Sequence, residues 1–178
     1  KELAVSGLRE VTVWDSGTGK LQRRIPGMAQ RTYALAWSRD GGTLTAGGGI
    51  PGELGEARGF DAMTGELNAV VHQANDVVLD VQYDINGTLL AVADAENFIT
   101  VYHADDLSTR LRIDNHSDWV MAVTFSPDIR FLASASRDRS AKIFEMKTGD
   151  TISTYGGHGA PVLGVAFRED GKQVFSSG

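Results

Sequence analysis

Two sets of aromatic residues recur along this chain at one shared interval, and that coincidence constrains the fold more than any other feature. Trp37, Tyr83, Phe125 and Phe167 each lead a short segment that runs into a turn (WSRDGGT, YDINGT, FSPDIR, FREDGK), at spacings of 46, 42 and 42 residues. Trp14, Phe60, Tyr102 and Phe144, each followed by an acidic or polar residue, are spaced 46, 42 and 42 again. A period of this length marks an array of like supersecondary units, each too small to bury its own apolar faces. Within each unit the runs YALAW, VLDVQY, MAVTF and LGVAF read as half-buried or fully buried strands. Asp-Gly and Asn-Gly pairs at 40–41, 86–87 and 170–171 supply the positive-φ positions of tight turns, and GTG, MTG and KTG mark another turn after the second aromatic.

Nothing with a sustained 3.6-residue period competes, so the fold class is all-β, and a unit of four strands and three tight turns has the dimensions of one propeller blade. The segments NHSDWVMAVTFSPDIRFLASASRDRSAKIFEMKTGD and GGHGAPVLGVAFREDGKQVFSSG, with VWD at Trp14, resemble WD40 repeats, and the resemblance extends over essentially the whole chain. The first three units depart from the pattern: their Gly-His slots read Gly27-Met28 and Gln73-Ala74. With the strands of a blade lettered A to D from the axis outward, the chain reads B-C-D, three full A-B-C-D blades, then A-B. This divides it at 1–26, 27–72, 73–114, 115–156 and 157–178 as a single half-propeller of about four blades.

Blades are covered on both faces by their neighbours, so an open arc would expose apolar faces larger than a monomer tolerates. The expectation is that a second chain closes the ring, the terminal A-B of one completing the C-D of the other around a two-fold axis in a homodimer of about eight blades. One of the redundant B strands is then displaced. Blades missing from a longer chain are the alternative, and the opening KELAVSG, without Met or leader, fits a removed signal or a fragment.

His116, Ser134 and Asp138 have the residue types of a hydrolase triad. Ser134 lies within LASAS, mid-strand, without the G-x-S-x-G elbow or following helix that exposes a nucleophile beside an oxyanion hole. The WD40 resemblance implies instead a buried hydrogen-bond network of loop His116, strand Ser134 and turn Asp138. Its fourth member, a strand-C tryptophan, is replaced by Phe144, which has no N–H to give. His158 and Ser176 repeat the first two positions in the last unit.

The run GGGIPG satisfies G-x-G-x-x-G, but the dinucleotide fingerprint also needs a strand before it and a helix after it. Aromatics within a blade are 19 residues apart in the regular units and 23 apart between Trp37 and Phe60, so GGGIPGELGE, with Glu53, is expected to be a four-residue extension of a B–C loop. The resemblance places B–C and D–A loops on the top face, the usual partner-binding face. Trp119 and Asp118 in one D–A loop, Arg137 in the facing B–C turn, and Arg31 and Tyr33 in an equivalent D–A loop are the other candidates. Trp119 either stands exposed or caps the core, and the Arg137/Arg139 pair either meets an acidic partner or is a solvated turn.

A net charge of −6 and a pI near 5.1, with no basic stripe, argue against nucleic acid as partner. There are no cysteines, and no apolar run approaches the length of a membrane-spanning helix. The four histidines show no metal-ligand spacing, and no cofactor is implied. The leading function is a non-enzymatic scaffold that binds a protein or peptide on its top face. The second is an exported or periplasmic accessory propeller, since RRIPGMAQRTYALAW and AGGGIPGELGEAR look similar to WD40 segments of large, cytochrome-containing bacterial proteins. The third, a hydrolase-type enzyme with a channel site, has only Asp80 as an acid on the readable A strands. Localisation stays open, with an exported compartment favoured.

Overall fold

The computed structural model describes residues 1–178, with the side chain of residue 29 left out of the description. Sixteen strands follow in order: β1 (Glu2–Ser6), β2 (Leu8–Asp15), β3 (Leu21–Trp37), β4 (Thr43–Ile50), β5 (Leu54–Asp61), β6 (Leu67–Ala74), β7 (Val78–Tyr83), β8 (Leu89–Asp94), β9 (Ile99–His103), β10 (Thr109–Ile113), β11 (Val120–Phe125), β12 (Phe131–Ser136), β13 (Ala141–Glu145), β14 (Thr151–Tyr155), β15 (Gly164–Phe167) and β16 (Val174–Ser177). Every pairing between them is antiparallel. Strands β7–β10 and β11–β14 form four-stranded sheets in sequential order, each one blade, and β15–β16 begin another.

Turn chemistry explains why the strands end where they do. The A–B turns need a left-handed residue, supplied by Gly41, Gly87 and Gly171 at φ 73°, 71° and 69°. The fourth turn, in FSPDIR, puts Ile129 there at φ 60°, a strained position for a β-branched residue, held because its side chain packs against the core. In DSGTG and DAMTG the leading carboxylate accepts two backbone N–H groups of the turn: Asp15 Oδ1 from Gly17 and Thr18, and Asp61 Oδ1 from Met63 and Thr64.

The first seven expected strands are six, because the outer strand of the first unit and the inner strand of the second are one continuous β3. Residues 21–26 and Arg31 pair with β2, and residues 31–37 run along β4, giving a six-stranded sheet β1-β2-β3-β4-β5-β6. The division after residue 26 therefore falls inside a strand, that after 72 near the end of β6, and those after 114 and 156 in loops. Arg31 and Tyr33, expected in a D–A loop, lie mid-strand. The physical reason is at Gly27, whose φ of 89° bends the chain at a bulge between the pairs Glu10–Pro26 and Leu8–Arg31, and Arg58 Nη1 donates to the Gly27 carbonyl across that bend. Val11, Val13 and Ile25 on one side of the bend share a core with Leu44, Ala46 and Phe60 on the other, so the sheet folds back and packs on itself as two blades.

Two further cores join the later blades. Ala57 and Val71 pack with Val81, Leu90, Val92 and Tyr102, and Ala91, Ile99, Val101 and Ile113 pack with Val123, Leu132 and Phe144. At about 25 cal/mol per Å² of apolar surface, these interblade layers are the main source of stability.

The GGGIPGELGE segment is not an extended loop. β4 and β5 have eight residues each, and only Pro51, Gly52 and Glu53 connect them, with the Glu53 N–H donating to the Ile50 carbonyl at 3.0 Å. The extra residues lengthen a hairpin. The glycines allow close backbone approach: a Cβ at Gly47 would stand 2.6 Å from Val78 Cγ1, at Gly48 2.0 Å from the Arg31 carbonyl oxygen, and at Gly55 1.8 Å from that of Asp76.

Candidate functional site

The top of the fourth blade gathers the largest number of candidate residues. The loop after β10 carries His116, β12 carries Ser134, and the β12–β13 turn carries Asp138. His116 Nδ1 lies 2.7 Å from Asp138 Oδ2, and its Nε2 lies 2.6 Å from Ser134 Oγ. Burial lowers the His116 pKa, outweighing the pull of Asp138, so the ring is neutral near pH 7. A carboxylate only accepts, so Nδ1 holds the proton and donates to Asp138, while Nε2 accepts from the Ser134 hydroxyl.

Asp138 is the hub of this cluster. Its Oδ2 also accepts the Ser117 N–H at 3.2 Å, and its Oδ1 accepts the Ser140 N–H and hydroxyl at 2.9 and 2.6 Å. Desolvation alone would raise its pKa, but the hydrogen bonds from Ser140 and His116 outweigh it and hold the carboxyl down at about 2. Phe144 meets the His116 ring edge-on at 6.2 Å between centroids. The Asp–His–Ser connectivity matches that of a hydrolase, yet Ser134 is completely buried in mid-strand, where no substrate reaches Oγ. In the last unit His158 Nε2 lies 2.8 Å from Ser176 Oγ, and its ring packs edge-on against Tyr155.

Above this network sit Asp118, Trp119 and Arg137. The Arg137 N–H donates to the Trp119 carbonyl at 3.0 Å, its guanidinium lies 4.3 Å from the Trp119 ring centroid, and its Nε is 3.7 Å from Asp118 Oδ1. Trp119 is half-buried, with a face covered by an exposed arginine. Arg31, Tyr33 and Glu53 do not join this cluster. All three are exposed, but they belong to β3 and the β4–β5 turn, two blades away.

Apart from Asp80, nothing in the sequence signals the polar contacts between the other blades. His72 Nδ1 lies 2.7 Å from the Tyr102 hydroxyl, with Asp94 Oδ2 3.4 Å from Nε2, linking β6 to the next blade. Thr45 and Tyr83 hydroxyls pair at 2.8 Å. Asp80 Oδ2 accepts the Val123 N–H and Oδ1 the Val81 N–H, both at 2.9 Å, and Gln82 accepts the Phe125 N–H at 3.3 Å. The bonds from Val123 and Phe125 run between the inner strands β11 and β7 of neighbouring blades, along a cavity of about 980 Å³ lined by Trp37, Asp80, Tyr83, Phe125 and Phe167.

Burial raises the Asp80 pKa to about 6. Because that is above its unfolded value of 3.8, the folded state binds the extra proton between these limits, and Asp80 favours folding progressively as pH falls from about 6 toward 4. Urea titrations at pH 7 and pH 4 are therefore expected to show wild type gaining up to about 3 kcal/mol relative to Asp80→Asn. An unchanged difference would contradict this.

Among the described residues, no group of three or more His, Cys, Asp or Glu side chains is arranged to hold a metal, and no helix is long and apolar enough to cross a membrane. The family described as WD domain, G-beta repeat matches residues 108–145 and 149–178. The chain is 27% identical over 143 residues to the WD repeat-containing protein SL1-17 of Schistosoma mansoni, covering 80% of this chain and 46% of that protein. It is 28% identical to the nuclear distribution protein PAC1 of Coccidioides posadasii, over 86% of this chain and 34% of that one. It is 32% identical to the Denticleless protein homolog of Danio rerio, over 50% and 14%. The chain thus spans less than half the length of these relatives, all of them eukaryotic.

Proposed function

We infer that this chain, whose residues 108–145 and 149–178 are WD40 repeats, is a protein-interaction scaffold, the typical role of WD40 proteins, and that it holds a protein or peptide on its top face. The observation that carries the reading is the stack of Arg137 on half-buried Trp119. Trp and Arg are the residues most enriched at binding hot spots, and the stack stands on the buried Asp138–His116–Ser134 network, which fixes the loops before a partner arrives. In this reading that trio, and His158 with Ser176, are structural locks rather than chemistry.

The same reading has a second copy complete the ring. An accessory propeller in a larger bacterial protein is the other possibility from the sequence, and the eukaryotic relatives named above lend it no support. In a pull-down with purified partner, Trp119→Ala combined with Arg137→Ala is expected to weaken capture at least about tenfold, the effect of losing a hot spot of roughly 2 kcal/mol. Equal recovery by wild type and variant would refute the top-face site.

A further inference from the structure

The histidine lock of the fourth blade has a counterpart in the second, found by following the strand pairing. In the fourth blade Leu132 pairs with Phe144 and Ser134 with Lys142; in the second, Leu44 pairs with Phe60 and Ala46 with Arg58. Ser134 thus corresponds to Ala46, and Lys142 to Arg58. The slot Asn115-His116 corresponds to Gly27-Met28, and one shared contact fixes the match in space: Lys142 Nζ donates to the Asn115 carbonyl, and Arg58 Nη1 to that of Gly27.

The second blade has the place of the lock without its chemistry. Met28 and Ala46 stand where His116 and Ser134 supply an imidazole and a hydroxyl. The hairpin runs on through the pairs Gly48–Glu56 to Ile50–Leu54, where the fourth blade has already turned at Asp138. A carboxylate comes instead from β5: Glu56 Oε2 pairs with Arg58 Nη2 at 2.8 Å, on a glutamate side chain only 5% exposed. Glu56 Oε1 and Arg58 Nε are also buried, and among the described residues neither has a hydrogen-bond partner. Buried polar atoms are almost always paired, with protein or with ordered water.

Glu56 and Arg58 line a cavity of about 10 Å³ together with Met28, Thr32, Ala46 and Gly48. All of its walls come from β3, β4 and β5. It is too small for a side chain or an organic ligand, and its volume is at the lower limit for one water molecule. One unpaired acceptor and one unpaired donor are what a water's O–H and lone pair satisfy. We propose that a single buried water binds between Glu56 and Arg58 and, with that ion pair, takes the place of the imidazole, tying β5 to the bend of β3 at Gly27.

Rotating-frame NMR on the isotope-labelled chain reads this site directly. The Arg58 Nε–H is expected to show a cross peak to water opposite in sign to the diagonal, the mark of dipolar contact rather than proton exchange. Thr32→Val removes the only hydroxyl on the cavity wall and should keep the peak. Its loss there would make the signal a relay through that hydroxyl and overturn the site. Glu56→Met, similar in volume, should lose the peak while the amide spectrum stays that of a folded protein, and persistence would overturn Glu56 as the anchor. Should that variant not fold, a high-resolution crystal structure of the wild type decides. An ordered water within hydrogen-bonding distance of Glu56 Oε1 is expected, and its absence, or a wild type without the cross peak, would overturn the proposal.

Discussion

Replacing His116 with alanine is expected to destabilise the protein by about 2–4 kcal/mol, the cost of leaving a buried hydroxyl and a carboxylate oxygen short of their partner. Among the described residues the imidazole alone meets both Asp138 and Ser134, at 2.7 and 2.6 Å, and its loss strands a desolvated hydroxyl and leaves Asp138 Oδ2 with only the Ser117 N–H. Ser134→Ala removes a single neutral bond and should cost only about 1 kcal/mol. A double-mutant cycle between His116→Ala and Asp138→Ala is expected to show coupling of about 1–3 kcal/mol.

The pH dependence of this network has a definite sign. The His116 pKa is depressed by burial below 6.5, so its neutral form favours the fold fully above pH 6.5 and progressively less as pH falls below it. Asp138, held at about 2, contributes above 3.8 and loses that contribution as pH falls from there toward 2. Since Asp80 acts in the opposite direction between about 6 and 4, the test compares wild type with His116→Gln in urea from pH 7.5 to 5. The wild type alone should lose stability through His116 on acidification, and parallel curves would count against a buried neutral imidazole.

Gly48→Ala is expected to be the other severe change, costing about 3 kcal/mol or more through overpacking. The added methyl would stand 2.0 Å from the Arg31 carbonyl oxygen, a backbone atom fixed within β3 that cannot swing aside as a side chain can. Gly52 is the natural control. It lies in the same hairpin with open space around it, and its φ of 70° predicts a cost of only about 1–2 kcal/mol for alanine from left-handed strain. Thermal or urea unfolding of the two variants should separate them clearly, and equal losses would mean that β3 gives way at Arg31.

The contrast shows what the sequence could and could not reveal. Turns needing positive φ were visible as Asp-Gly and Asn-Gly, because that conformational demand is local. Gly47 and Gly48 of GGGIPG look the same but serve a non-local demand, the close approach of Val78 and of the β3 backbone, and so they read as loop. Gly27 misled in a related way: Pro-Gly punctuates a chain, yet here it sits at a bulge inside β3, with pairing to β2 before it and to β4 beyond it. The His116 trio was legible because its members keep fixed distances from the Phe144 aromatic. His72 was not, since it lies 30 residues before Tyr102 where His116 lies 28 before Phe144, and its partner is a tyrosine hydroxyl that periodicity treats as another core aromatic.

The division between lock and chemistry can be tested at a single atom. Incubating the folded protein with a fluorophosphonate, which reacts covalently with activated serine hydroxyls, and mapping the product by mass spectrometry asks whether Ser134 Oγ is reachable and nucleophilic. A fully buried hydroxyl that donates to His116 to tie two loops together leaves Ser134 unmodified while the protein stays folded. A stoichiometric adduct on Ser134, abolished by His116→Ala, would contradict the docking-scaffold reading and make the trio a working triad.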